Sequence, residues 1–325
     1  MRKNLQYFTL ILLLLANCSV FAQQDAQLSQ YMFNPLYINP ATAGTDGVMR
    51  FQLHYRNQWT AYQTTYDGSG SLGTQVLTAS MPLNGLHSGL GIQFVNDKTP
   101  SGSGYQNMLL SYAYQIGLRN GSILSIGVKG GFHTKTFDSR FRPGETGDPI
   151  VDAASKSINE TKADLALGIL YKAQDYQLGI SLNHVNTPNY SFGVTRDSDY
   201  RIKQVLNITA SYDYYLNDEV KVTPTALWRS DFVTSALEGG AIFTYTEKYW
   251  LGGSYRLNDA GIIIAGLSML KDNSLRLGYS LDLTTVGQTA KSPTSHEVLI
   301  SYALPAPKLF GGKKTPVRTP RFRHQ

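Results

Sequence analysis

The chain of 325 residues holds one cysteine, Cys18, and that cysteine lies in an N-terminal stretch that reads as a cleavable leader. What remains has no thiol, which excludes a disulfide framework, a thiol nucleophile and a thiolate metal site. Long apolar runs are missing too. Nothing after the leader approaches the ~20 residues of a membrane-spanning helix, and the longest run, around Ile262 to Leu267, is of strand length. There is no phosphate loop and no dinucleotide fingerprint. Gly89-x-Gly91 and Gly127-x-x-Gly130-Gly131 fall inside strand-like text, where glycine serves close packing or strand bending. His54, His87, His133, His184 and His324 show neither i,i+4 pairing nor metal-ligand spacing. Ser295, His296 and Glu297 are consecutive, and neighbours on a strand face opposite ways, so they form no triad among themselves. The expectation is a protein that is not an enzyme and uses no cofactor or metal.

The leader is Sec-type. Arg2 and Lys3 form its basic end, Tyr7 to Ala16 its apolar core, and Val20-Phe21-Ala22 a small-x-small site that predicts cleavage after Ala22. A lipoprotein reading at Cys18 is opposed by the bulky, polar Asn17 before it.

Between Arg50 and Leu304 one unit recurs about fourteen times: roughly ten residues in which apolar and polar or small side chains alternate, closed by a turn. Strand side chains alternate between faces, so each unit has a greasy face and a wet one. Met108, Leu110, Tyr112, Tyr114, Ile116 and Leu118 interleave with Leu109, Ser111, Ala113, Gln115 and Gly117. Later, Leu275, Leu277, Tyr279, Leu281 and Leu283 interleave with Arg276, Gly278, Ser280 and Asp282. A soluble sandwich alternates as well, and the connections separate the two. Links after even segments are short (82–86, 119–121, 173–175, 217–219, 247–248, 270–273), with Asn84-Gly85 and Asn120-Gly121 offering the positive φ of tight hairpins. Links after odd segments run longer on average (57–71, 134–162, 186–203, 284–296). Short turns on one rim and long loops on the other predict an all-β transmembrane antiparallel barrel of about fourteen strands, periplasm at the short rim. Tyrosine, used 21 times, supplies aromatic girdles from Tyr55, Tyr112, Tyr114, Tyr171, Tyr212, Tyr214, Tyr245, Tyr255, Tyr279 and Tyr302.

The formal charge of +6 is local. Arg2 and Lys3 belong to the leader, and the tail from Pro305 carries Lys308, Lys313, Lys314, Arg318, Arg321 and Arg323 with no acid, so the barrel itself is slightly acidic. Basicity confined to a tail and an export leader together argue against nucleic acid as a partner. The domain reading is a leader (1–22), an N-terminal Asn-Pro segment (23–49), the barrel (50–304) and a basic, flexible periplasmic tail (305–325). Inward positions hold Arg50, Arg56, Lys129, Asp164, Lys172, Asp213, Lys221, Arg229, Glu238, Arg256, Arg276, Asp282 and Glu297. These charges suit an internal salt-bridge network, the grip on a folded-in plug, or the lining of an aqueous pore.

The Asn-Pro segment, from Ser29 through Tyr31, Asn34-Pro35 and Asn39-Pro40 to Gly44, is too apolar for a loose leader. Each proline lacks a donor and biases its predecessor to extended geometry, so the segment is expected to be ordered, periplasmic or lodged in the barrel mouth. At these residues the chain resembles the PorP/SprF family of outer-membrane proteins associated with the type IX secretion system and gliding motility. The likeness extends through Tyr55-Arg56-Asn57-Gln58-Trp59, Gly278-Tyr279-Ser280-Leu281-Asp282, Ser295-His296-Glu297-Val298 and Thr319-Pro320-Arg321-Phe322, in the family's order. It departs after Trp59, where members often carry Gly-x-Pro-x-Thr and this chain has Gln63-Thr64-Thr65-Tyr66-Asp67-Gly68. The resemblance implies a barrel in outer-membrane lipid that helps secrete or anchor a large surface adhesin through that partner's C-terminal signal domain, with other type IX secretion components as further candidate partners. Tyr31, Asn34, Pro35, Asn39, Pro40, Arg56, Asn57, Gln58 and Trp59 are the partner-binding candidates. The polar lumen leaves a small-solute channel as the alternative.

Overall fold

The computed structural model describes residues 25–60, 72–98, 104–137, 158–191, 199–287 and 293–306. The leader, the 143–149 stretch of the longest loop and the basic tail lie outside them. Fourteen strands run in order: β1 (Val48–Gln58), β2 (Leu72–Leu83), β3 (Ser88–Lys98), β4 (Gly104–Gly117), β5 (Ile123–Phe137), β6 (Ile158–Lys172), β7 (Tyr176–Asn183), β8 (Val205–Tyr212), β9 (Val220–Ser230), β10 (Ser235–Tyr245), β11 (Tyr249–Arg256), β12 (Ala260–Met269), β13 (Leu275–Thr284) and β14 (Thr294–Pro305). Each pairs antiparallel with the next, and β14 pairs with β1, Ser301 opposite Gln52, so the sheet closes on itself. Tyr214–Tyr215, beyond a break at Asp213, prolongs β8 along β9. Closure leaves no sheet edge, as a backbone in hydrocarbon requires.

The alternation decides what faces where. On β4, Met108, Leu110, Tyr112 and Tyr114 stand exposed on the outside while Leu109, Ser111 and Ala113 are buried inside. Tyr55, Tyr212, Tyr245, Tyr255, Tyr279 and Tyr302 also stand outside. The inner face buries charge instead: Arg56, Lys129, Asp164, Arg229, Glu238, Arg256, Asp282 and Glu297. No helix among the described residues is long and apolar enough to cross a membrane. The strands do the crossing.

The short-turn rim lies where the spacing placed it, with one correction of detail. Gly121 takes the positive φ of +79° expected of Asn120-Gly121, whereas at 84–87 the left-handed residue is His87, at +49°, after a turn of 3-10 helix over Asn84–Leu86. Four linking residues, not two, close that hairpin, so the Asn-Gly pair is spent on a helical turn and the reversal falls to its successor. On the opposite rim the link 184–204 carries a two-strand ribbon, Asn189–Ser191 against Asp199–Arg201.

Residues Asp25 to Gly47 fill the lumen. They form three single turns, Tyr31–Phe33, Pro35–Ile38 and Pro40–Thr42, the last two with proline in the first position, where its missing donor costs nothing. Leu28, Tyr31, Tyr37 and Ile38 pack with the inward Val76, Val95, Tyr105 and Leu227 into one core. The segment runs from the long-loop end, where Asp25 meets His184 behind β7, down to the short-turn rim, where β1 begins.

Candidate functional site

The lumen and its plug make the site. Near the long-loop end, Ser29 sits in a knot of buried charge. Its amide donates to Glu297 at 2.7 Å and its hydroxyl to Asp282 at 2.7 Å, while Arg56 donates to the same hydroxyl at 2.6 Å and to Asp282 at 2.8 Å. The Gln30 amide donates to the other oxygen of Glu297 at 3.2 Å. Glu297 is fully buried beside His54 at 3.0 Å, and Arg256 closes the ring, paired with Glu238 at 2.9 Å and lying 3.7 Å from Asp282. Removing three acids and two guanidinium groups from water is costly, and their mutual pairing offsets much of it, although Asp282 Oδ1 and Arg56 Nε stay buried without a partner. The plug backbone supplies two donors, both to Glu297.

A second anchor holds the start of the plug. His184 lies between carboxylates, Nε2 at 3.0 Å from Asp25 and Nδ1 at 2.9 Å from Asp164. Burial pushes the imidazole down, but Asp25 and Asp164 override it and raise its pKa to about 10. Burial pushes Asp25 up, and His184 more than reverses this, holding the carboxyl well below the usual carboxylate range. Both are therefore charged at neutral pH. Above them the ribbon residue Tyr190 is fully buried with its hydroxyl 2.9 Å from His133 Nδ1.

From Asn34 to Gly44 the plug is gripped without charge pairing. Asn39 donates through Nδ2 to Ile169 O at 3.0 Å and Ile180 O at 3.3 Å, and its Oδ1 caps the next turn from the Ala41 amide at 2.9 Å. Ser181 donates to Ile38 O, Ser125 to Ala41 O, Gln115 to Ala43 O and Lys129 to Tyr37 O. The plug backbone lies flat on the wall at strand glycines. A Cβ on Gly127 would fall 2.4 Å from Ala41 N and one on Gly89 2.1 Å from Ala43 O, so only hydrogen fits. At the short-turn rim Asp46 is drawn to Arg50 at 2.9 Å and Lys172 at 3.7 Å; burial opposes its ionisation, and these two cations overcome it, bringing the pKa down to about 2. Below the plug on this side a vestibule of about 430 Å³ remains.

The lumen charge candidates face inward, in different company. Arg56, Glu238, Arg256, Asp282 and Glu297 join the Ser29 knot; Lys129 holds the plug; Arg229 donates to Asn207 at 3.1 Å. Arg50 and Asp213 sit at the rim, Asp213 accepting from Lys221 and Thr223, and Arg276 faces the vestibule. Of the partner-binding candidates, Tyr31, Asn34, Asn39, Pro40 and Arg56 are buried in the lumen and Pro35 is half-buried there. Asn57, Gln58 and Trp59 are half-buried at the long-loop rim, where the Trp59 amide donates to Ser295 Oγ at 3.0 Å. His296 faces outward to Tyr279 Oη, away from Ser295 and Glu297. No motif or spacing announces the Asp25–His184–Asp164 bridge. Its members are 20 or more residues apart, and the inward position of Asp164 was the one trace of it.

A family model described as type IX secretion system membrane protein PorP/SprF matches residues 20–302. No curated protein sequence matches the chain significantly. Among solved structures, the Ralstonia pickettii toluene transporter TbuX overlaps with a TM-score of 0.49 at 11% identity, over 84% of this chain and 93% of that one. The Pseudomonas putida toluene transporter TodX gives 0.45 at 10% identity, over 82% and 92%. Salmonella typhi OmpF gives 0.36 at 11%, over 80% and 99%. Overlaps this loose have no bearing on cargo.

Proposed function

From its place in the PorP/SprF family of type IX secretion system membrane proteins, to which this chain belongs, we propose that it is an outer-membrane partner for a large secreted surface protein. It helps secrete or anchor that adhesin by way of the adhesin's C-terminal signal domain. The observation that carries this reading over a solute channel is the occupied lumen: wall groups from strands all around the barrel bond to Ser29–Thr45 in the space a solute would cross. A channel needs the plug to leave. A docking protein needs it to stay, because a filled barrel presents rigid rims.

In this reading the short-turn rim faces the periplasm and the long loops face outward. Direct partner contact falls to the outer rim, with Asn57, Gln58 and Trp59 the half-buried rim end of the Tyr-Arg-Asn-Gln-Trp run. Tyr31, Asn34, Pro35, Asn39 and Pro40 act indirectly, by holding the plug that shapes that rim. Other type IX components are expected among co-purifying chains.

The test compares surface proteomes and small-solute uptake between parent and deletion strains. Loss of one or a few large surface proteins with unchanged permeability is the expected outcome. An unchanged set of adhesins together with lost uptake of a small solute would promote the channel instead.

A further inference from the structure

The vestibule beneath the plug is built for something smaller than a protein. Its roof is aromatic. Phe33 of the plug lies against Trp250 of β11 with ring centroids 5.3 Å apart, and Met32, Phe33 and Ile242 pack with that indole. Trp250 is held in place from behind, because its ring lies over Gly266 of the adjacent strand, where a Cβ would meet it at 2.3 Å. The indole is 6% exposed, yet its Nε1 donates to nothing. A buried donor left unmatched carries the desolvation cost of that group, a cost that folding alone does not require at a position where Phe would pack.

A second donor shares the same space. Arg276 of β13 lines the vestibule, its Nε is buried without an acceptor, and among the described residues no carboxylate lies within ion-pair distance of its guanidinium. Nearby cations are matched: Arg50 and Lys172 by Asp46, Lys221 by Asp213. So are those two acids. The exposed Glu247 also lines the opening, beyond ion-pair reach of Arg276. The unmatched chemistry thus includes one planar cation and one indole donor beside an apolar roof, with the hydroxyls of Tyr31 and Thr225 also without partners, in a space of about 430 Å³ that is of small-molecule size.

We propose that this vestibule binds an organic monocarboxylate with an aromatic or compact apolar body, entering from the short-turn rim. The guanidinium of Arg276 takes the carboxylate, since its fork matches two oxygens. The body lies under Phe33 and Trp250, and the indole Nε1 donates to the ligand's polar end. A cation is disfavoured, because the unmatched charge in the vestibule is the positive one of Arg276. The inference is independent of the secretion partner, since it concerns the opposite rim.

Purified protein in lipid nanodiscs, titrated calorimetrically with phenylacetate and with phenylacetamide against empty nanodiscs, tests it. The two probes share a body and differ in charge. Phenylacetate should bind and the amide should bind at least about tenfold more weakly. Arg276→Gln should bring the acid to the level of the amide and leave the amide unchanged, and Trp250→Phe should weaken the acid by a smaller factor. Heat-dependent gel migration reports whether each variant has folded. Equal affinity for both probes, no binding of phenylacetate by the parent protein, or an Arg276→Gln barrel that binds the acid as before would each overturn the proposal. The acid-to-amide comparison needs no variant, so a misfolded mutant does not protect it.

Discussion

The two halves of the plug are held by different physics. From Asp25 to Gln30 the grip is ionic: His184 between two carboxylates, and Ser29 and Gln30 feeding a knot of three acids and two arginines. From Asn34 to Gly44 it is steric and backbone-polar, with carbonyls and amides met by serine, asparagine and glutamine, and the chain pressed against strand glycines. An ionic grip responds to protons. A steric one does not, and it tolerates no added atoms. The outward half of the plug is therefore the one a signal can loosen, and the inward half is the one that fixes its register.

The largest effect should come from the ionic half. Asp282→Ala leaves Arg56 without its 2.8 Å partner in a buried site, and breaking one member of such a group costs about 3 to 5 kcal/mol; thermal unfolding in detergent measures it. The steric half should follow. Gly127→Val places atoms where Ala41 N lies 2.4 Å from an ideal Cβ, an overpacking of about 1 to 3 kcal/mol. Because the collision is with the plug backbone, its expected signature is a rise in single-channel conductance that Asp282→Ala shows less. Conductance raised equally by both would erase the distinction between the halves.

Smaller still, Asn39→Ala removes the bonds to Ile169 O and Ile180 O and the cap on Ala41, worth about 1 to 2 kcal/mol. Protease access to the plug is the readout. The finest probe is pH. His184 has its pKa raised from 6.5 to about 10, so the stability it lends is full below 6.5 and is lost as pH climbs through about 10. Asp25 is depressed from 3.8, so its share is present above 3.8 and lost as pH falls toward its folded value. Amide protection at residues 26–30, measured against the intrinsic pH dependence of exchange, should be highest between these limits and fall toward pH 10, and His184→Gln should flatten that alkaline loss while protection at 39–43 stays level throughout. Matching pH profiles in both halves would count against separate grips.

Much of this molecule was legible in its text. The alternation on β4 and β13 assigned wall faces correctly, because period 2 is a local property of strands and lipid demands apolarity from every outward position. Loop asymmetry set the order of rims, and the family landmarks pointed to the match over 20–302. The inward charges were recognisable as a set but not as pairs. Arg56 and Asp282 are 226 residues apart, and which inward residues meet depends on strand tilt and on what lies between them. Gly89 and Gly127 read as packing glycines, with no sign that the thing packed was Ala41 to Ala43.

The sequence by itself determined a closed barrel with a greasy outside, a charged inside and an ordered Asn-Pro segment before the first strand, since each follows from neighbours in the chain. Only the tertiary structure decided that this segment enters the lumen from the long-loop end, which acids meet which bases, and that Trp250 and Arg276 share an open space below it. Those facts belong to distances across the barrel, where residues far apart in sequence become neighbours through closure of the sheet.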